Sequence, residues 1–212
     1  MKILLLGANG KIGRKLVSLF KETPHHLRAM VRKEEQVPAI QQLGADEVVV
    51  GDLEKDFSHL AEGMDAIIFS AGSGSHTGAD KTILVDLDGA FKAIEAAEQY
   101  QVKRFVMVSS IRADRPEDGP ESIRHYLVAK KRADERLRNS SLNYTIIRPG
   151  SLTNDPAKGT VLLKEHIEKR ASIPRADVAR TVVEALENEN TYYRSFDLVT
   201  GDQPIKEALN NF

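Results

Sequence analysis

Seven short apolar runs punctuate the chain: Lys2–Leu6, Leu27–Val31, Glu47–Val50, Ala66–Ser70, Arg104–Ser109, Asn143–Ile147 and Phe196–Val199. Most are rich in Val, Ile, Leu and Phe with little polar alternation, the pattern of strands covered on both faces. Between them the apolar spacing turns helical, and it predicts helices over Ile12–Thr23, Lys81–Tyr100, Ser122–Asn139 and Arg175–Glu189. Such alternation predicts an α/β fold, a parallel sheet with helices on both faces and right-handed crossovers. No repeat, low-complexity tract or linker divides the chain, so its 212 residues are expected to form a single domain.

Two stretches break the rhythm. Ala71–Asp80 is too glycine-rich for a helix or strand and follows the C-terminal end of a predicted strand, where open α/β sheets bind ligands. A flexible surface loop is the competing reading. Ile111–Glu121, with Pro116, Gly119 and Pro120 among charges, reads as a loop between strand and helix, either a substrate lid or a solvated excursion.

Composition narrows the classes. A net charge of −1 gives no global pull toward nucleic acid or an anionic membrane, so neither is an expected partner. There is no run of 18 apolar residues, and Met1 leads directly into the first strand, so no signal peptide or membrane span is expected. Cysteine is absent, which removes disulfides and thiolate chemistry and fits a cytoplasmic protein. The six histidines form no metal-binding motif, so no metal is expected.

The first strand runs into Gly7-Ala8-Asn9-Gly10-Lys11-Ile12-Gly13 and then a helix. Strand, glycine turn and helix in that order suit a pyrophosphate. The first glycine permits the tight turn, the second admits phosphate to the backbone, and the third lets helix pack on strand, with free N–H groups facing the anion. The fold class is therefore read as a Rossmann-type doubly wound parallel sheet that binds a dinucleotide. At the end of the second strand an acidic residue would suit a ribose 2′-hydroxyl and an arginine a 2′-phosphate. Here Arg32-Lys33 stands there and the first carboxylate is Glu34, which favours NADP over NAD; a solvated basic turn is the alternative. Lys11 and Arg14 could add positive charge near the phosphates. After the third strand, Asp52 of Gly51-Asp52-Leu53 could accept from an adenine amino group or cap the next helix.

Tyr126 and Lys130 lie four apart on a predicted helix and share a face. A lysine ammonium beside a phenol favours the phenolate, as acid/base work on carbonyls and alcohols requires. Ser109 and Ser110, at the end of the preceding strand, could polarise a substrate oxygen. The neighbouring charges Arg124, Lys131, Arg132, Arg136 and Arg138 read as a solvated helix face.

Together these residues resemble the short-chain dehydrogenase/reductase superfamily, in its extended and atypical branch of epimerase/dehydratase-like and NmrA-like NAD(P)-binding proteins. The resemblance rests on Gly7, Gly10 and Gly13, Asp52-Leu53, Ala71-Gly72, Ser109-Ser110, Tyr126 with Lys130, Arg148-Pro149-Gly150 and Ser172–Ala179. It implies that Asp52 and Leu53 contact adenine and that Ala71-Gly72 borders the adenosine ribose. Lys130 would hold the nicotinamide ribose while Tyr126 moves the proton. Pro149-Gly150 would line the nicotinamide pocket, and Ser110, with Ser109 second, would match the catalytic hydroxyl. Two departures stand out. Asp86 occupies a position where extended members usually carry asparagine, and only about sixty residues follow Pro149, too few for a full sugar-nucleotide domain. The reduced C-terminal substrate region is expected over about residues 150–174, where Lys164, His166 and Arg170 could recognise an anionic group or be exposed charges.

The expected function is an NADP-dependent oxidoreductase or epimerase/dehydratase-like enzyme acting on a small carbonyl, alcohol or sugar-type substrate. The alternative is an NADP(H)-sensing binding protein without turnover. Helices 81–100 and 122–139, where relatives dimerise, leave a homodimer open.

Overall fold

All seven apolar runs are strands in the computed structural model, which describes residues 1–74 and 77–212. The strands are β1 (Lys2–Leu6), β2 (His26–Val31), β3 (Glu47–Val50), β4 (Ala66–Phe69), β5 (Arg104–Val108), β6 (Asn143–Pro149) and β10 (Arg194–Thr200). They pair in parallel in the order β3-β2-β1-β4-β5-β6-β10. Beyond β10 lie two strands that the hydropathy pattern did not predict. β8 (Thr160–Lys164) runs antiparallel to β10, and β11 (Gln203–Pro204) antiparallel to β8. The short strands β7 (Ser151–Thr153) and β9 (Ser172–Pro174) pair separately.

Successive side chains of each strand enter opposite cores, which explains why the runs lack polar alternation. Ile3, Leu5, Ala29, Val31, Ile68 and Val106 pack with α1 (Lys11–Phe20), α2 (Val37–Leu43), α6 (Arg175–Ala185) and α7 (Ile205–Asn210). Leu4, Leu6, Met30, Ile67, Phe69 and Phe105 pack with α4 (Gly89–Gln99) and α5 (Arg124–Arg138) on the other face. The predicted helix over 81–100 is not uniform: α3 (Ala79–Lys81) passes into a π-helical stretch, Thr82–Asp88, before α4 begins. The wider turn carries Asp86 into the interior, where it is fully buried. No helix of the described residues is long and apolar enough to cross a membrane.

The strands' C-terminal ends all reach one edge of the sheet, and the order reverses between β1 and β4. That reversal leaves a crevice where open α/β sheets hold ligands. The opposite edge is closed by Arg104, a fully buried cation at the start of β5. It donates to the carbonyls of Leu186 (2.9 Å), Ala185 (2.9 Å) and Asn143 (2.8 Å), so it caps the C-terminal end of α6. Burial lowers its pKa to about 10, and Tyr192 lies under the guanidinium at 4.4 Å. Replacing Arg104 by Met keeps the bulk but removes these donors, leaving the Ala185 carbonyl with the Thr191 hydroxyl at 3.1 Å. The expected loss is about 2–4 kcal/mol, read from the urea unfolding midpoint.

Candidate active site

The turn after β1 is built around missing Cβ atoms. Gly7 has φ +90°, and a Cβ there would lie 2.7 Å from the Ala71 backbone. One at Gly13 would lie 2.1 Å from the Gly7 oxygen. The first-turn N–H groups of Lys11, Ile12 and Gly13 precede the first bond of the helix, Arg14 N–H to Gly10 O at 2.9 Å, and no carboxylate stands in that turn. They remain available for an anion. Ile12 contributes its N–H alone, because its side chain is buried in the core. Lys11 projects to solvent, and Arg14 donates to Asn9 Oδ1 at 2.7 Å.

In front of this turn opens a cavity of about 270 Å³. Gly7, Asn9 and Gly10 form one wall, Arg32 and Gln36 a second, Asp52 and Leu53 a third, and Ser70 to Ser73 with Val85 the fourth. Arg32 is exposed and its guanidinium has no partner among the described residues. Its backbone is held instead: the Arg32 and Lys33 N–H groups donate to Gln36 Oε1 at 3.0 and 3.2 Å. Gln36 escaped sequence reasoning, since nothing in its spacing marks it. Asp52 combines the two readings left open. One oxygen accepts from the Glu54 N–H at 3.0 Å, but this closes a turn rather than capping a helix, and the carboxylate still lines the cavity. The Ser70 hydroxyl is buried against the cavity without a partner. Of the glycine-rich stretch Ala71–Asp80, Ala71-Gly72-Ser73 lines the cavity, whereas Ser75 and His76 lie outside the described residues.

A second cavity, of about 230 Å³, lies at the ends of β5 and β6. Ser110, Pro149 and Gly150 border it, with Ile111, Arg112 and Pro120 of the loop over 111–121 on one side and Lys169, Arg170 and Ala171 on the other. The loop is therefore a wall of this cavity. Of the stretch 150–174, only the two ends line it, because β8 has joined the main sheet. Arg170 faces the cavity; Lys164 does not, and His166 Nδ1 sits 2.8 Å from Asp114 Oδ2.

Tyr126 and Lys130 share one face of α5, as the spacing predicts, and Lys130 is buried with its ammonium 5.7 Å from the centre of the Phe69 ring. Burial raises the Tyr126 pKa; the Lys130 charge opposes this, the Asp86 carboxylate adds to it, and a hydrogen bond with Ser110 opposes it. The two serines divide. Ser110 neighbours Tyr126 and lines the second cavity, its hydroxyl donating to the Ile111 carbonyl at 3.4 Å, whereas Ser109 is buried and donates to Asp134 Oδ2 at 2.8 Å, so its hydroxyl is committed to α5. Asp134, which the sequence reading did not single out, stands one turn beyond Lys130 on α5. Burial raises its pKa from 3.8 to about 6, against the Ser109 bond and the Lys130 charge. Asp86 Oδ2 accepts from the Ser73 N–H at 3.0 Å, and its other oxygen is buried without a partner. Among the described residues no group of His, Asp or Glu side chains could hold a metal ion.

The family model for NAD(P)H-binding proteins matches residues 7–189. The uncharacterized sugar epimerase YhfK of Bacillus subtilis (strain 168) is 54% identical over 213 residues, covering 99% of each chain. A Bacillus halodurans protein, provisionally named an NAD-dependent epimerase/dehydratase, superposes with TM-score 0.97 at 47% identity over the whole of both chains. The oxidoreductase ylbE of Lactococcus lactis follows with TM-score 0.91 and 34% identity, covering 100% of this chain and 96% of that one. Fold, glycine turn and these likenesses agree, and the chain belongs to the NAD(P)H-binding family.

Proposed function

We propose that the protein is an NADP(H)-dependent oxidoreductase that reduces a small carbonyl compound, with Ser110, Tyr126 and Lys130 acting on the carbonyl oxygen. The observation that carries this reading is that Ser110, which lines the second cavity, neighbours Tyr126, beside a turn and cavity that suit a dinucleotide. The family as a whole spans oxidoreductases and epimerase-like proteins. A second cavity of about 230 Å³ favours a small carbonyl or alcohol over a sugar nucleotide.

The fit to the cofactor rests on the Cβ-free cradle at Gly7 and Gly13 and the unpaired N–H groups of Lys11 to Gly13 for the pyrophosphate. Asp52 and Leu53 would border adenine, Ala71-Gly72 its ribose, Arg32 the 2′-phosphate, and Pro149-Gly150 the nicotinamide. When bound, the reduced cofactor would supply a hydride, one hydrogen with its two electrons, to the carbonyl carbon. The Ser110 hydroxyl donates a hydrogen bond to the carbonyl oxygen and holds it against Tyr126. Burial keeps the Tyr126 phenol protonated across neutral pH, so it gives its proton to the oxygen as negative charge develops there. Lys130 supplies the positive charge that stabilises the phenolate left behind. Asp134, fixed by Ser109 at the end of β5, places a carboxylate one turn beyond Lys130 and ties α5 to the sheet. Retention of Tyr126, Lys130 and Ser110 together supports turnover over NADP(H) sensing alone.

Tyr126→Phe is expected to lower NADPH-dependent carbonyl reduction by about 10²–10⁴-fold while NADPH affinity, measured by calorimetry, stays essentially intact. Arg32→Ala is expected to weaken NADPH by about tenfold or more and leave NADH unchanged; equal weakening of both would remove Arg32 from the 2′-phosphate. Asp134→Asn reports on the buried carboxyl. The native protein keeps the Asp134 proton up to about pH 6, whereas the unfolded chain loses it near 3.8. Wild-type stability from this group therefore falls as pH rises through that window, and the variant lacks the fall. Relative to wild type, Asp134→Asn should gain up to about 3 kcal/mol between pH 4 and pH 7.5, read by urea unfolding at both pH values.

A further inference from the structure

The second cavity has a charge pattern that the mechanism above does not use. Its lining carries three cations, Arg112, Lys169 and Arg170, and no carboxylate. Two acidic residues on the same two loops are paired with other groups. Glu168 pairs with Arg115 at 2.6 Å. Asp114 lies 3.3 Å from the buried Arg148 and 2.8 Å from His166. Arg112 is held by backbone oxygens alone, those of Asp118 at 2.8 Å and Glu168 at 3.1 Å, which fix its guanidinium without neutralising it. It adopts φ +66°, a left-handed conformation that non-glycine residues rarely take, and it sits directly over the cavity. Lys169 and Arg170 make no ion pair with any described residue. The rest of the lining is mostly apolar, with Ile111, Pro120, Ile123, Leu127 and Pro149, and adds the hydroxyls of Ser110 and Ser151.

We infer that this cavity takes a carbonyl compound with an apolar, one-ring body and an anionic arm, a carboxylate or a phosphate. The apolar wall removes the body from water while Arg112, Lys169 and Arg170 receive the arm. Ser110, in the same lining, meets the carbonyl. The inference rests on the reading that Ser110 and Tyr126 handle a carbonyl, and it excludes cationic substrates of the same shape, which would face three cations and no lining carboxylate.

Two measurements separate the inference from that reading. In the first, benzoate, phenyl phosphate and neutral benzamide are titrated calorimetrically into the protein saturated with NADPH, for wild type and for the Lys169→Ala/Arg170→Ala double variant, whose changes are solvent-exposed and spare the core. In the second, NADPH oxidation is followed with 4-carboxybenzaldehyde, 4-formylphenyl phosphate and neutral 4-formylbenzamide. The expected result is a preference of about tenfold or more for an anionic probe over its neutral counterpart in affinity and in kcat/KM, falling toward parity in the double variant and at high salt. Preference for phenyl phosphate over benzoate assigns the arm as phosphate, and the reverse as carboxylate. Equal affinity for benzoate, phenyl phosphate and benzamide, or a preference that the double variant retains, overturns the inference. If no aldehyde is reduced the oxidoreductase reading falls, and the affinity comparison still decides the charge selectivity of the cavity.

Discussion

The turn at Gly7 leaves no room for a Cβ, and much of the site follows from that contact. With a Cβ only 2.7 Å from the Ala71 backbone, β1 and β4 could not exit the sheet side by side, and the crevice at the reversal of strand order would not take this shape. Gly13 repeats the constraint one step later by bringing α1 onto the Gly7 oxygen. The two contacts aim the first-turn N–H groups of α1 into the crevice, where the helix dipole favours an anion. Arg32, Asp52 and Ala71-Gly72 then reach the same cavity because each stands at the C-terminal end of a parallel strand whose register the sheet has set.

A second constraint operates around the other cavity. Arg148 is buried at the end of β6, with Asp197 of β10 at 2.9 Å, Asp114 at 3.3 Å and the Glu165 carbonyl at 2.6 Å. Asp197 is itself fully buried, which raises its pKa against the pull of Arg148, and it accepts the Ile167 N–H at 2.8 Å. Such a pair adds little net stability, because desolvation offsets its attraction, yet losing one partner leaves a buried charge alone. Its structural consequence is positional: it joins the loop over 111–121 to the loop over 165–171 and holds the Asp114 carboxylate, while Arg115 holds that of Glu168. Charge separation at the cavity is thus a product of packing around these two arginines.

The interior of α5 shows the same economy of contacts. Tyr126, Lys130 and Asp134 follow one another at single-turn spacing, and Ser109 ties the last of them to the end of β5. Ser109 and Ser110 point to opposite sides because successive residues at a strand end do so. One hydroxyl therefore becomes a structural anchor and the other remains beside Tyr126. The π-helical stretch before α4 turns Asp86 inward toward the same phenol.

The seven central strands were legible as sequence because a strand buried on both faces needs an unbroken apolar run, and the glycine turn was legible because no other residue fits it. The Tyr126–Lys130 face was legible from helical spacing. What escaped were features whose energy comes from distant partners. β8 and β11 are short and partly exposed; β8 is a strand only because β10 presents an open edge, and β11 because β8 then presents one. Gln36, Asp134 and the π-turn at Asp86 have no local pattern that distinguishes them from neighbouring polar residues. Arg112 and Lys169 stand far apart in sequence and meet only across folded loops. The chain by itself thus determined the parallel α/β architecture and the dinucleotide turn, which depend on local periodicity and on sterics at single residues. Tertiary structure alone decided which serine faces the site and which charges line the second cavity, because burial and electrostatic partnership exist only once the chain has packed.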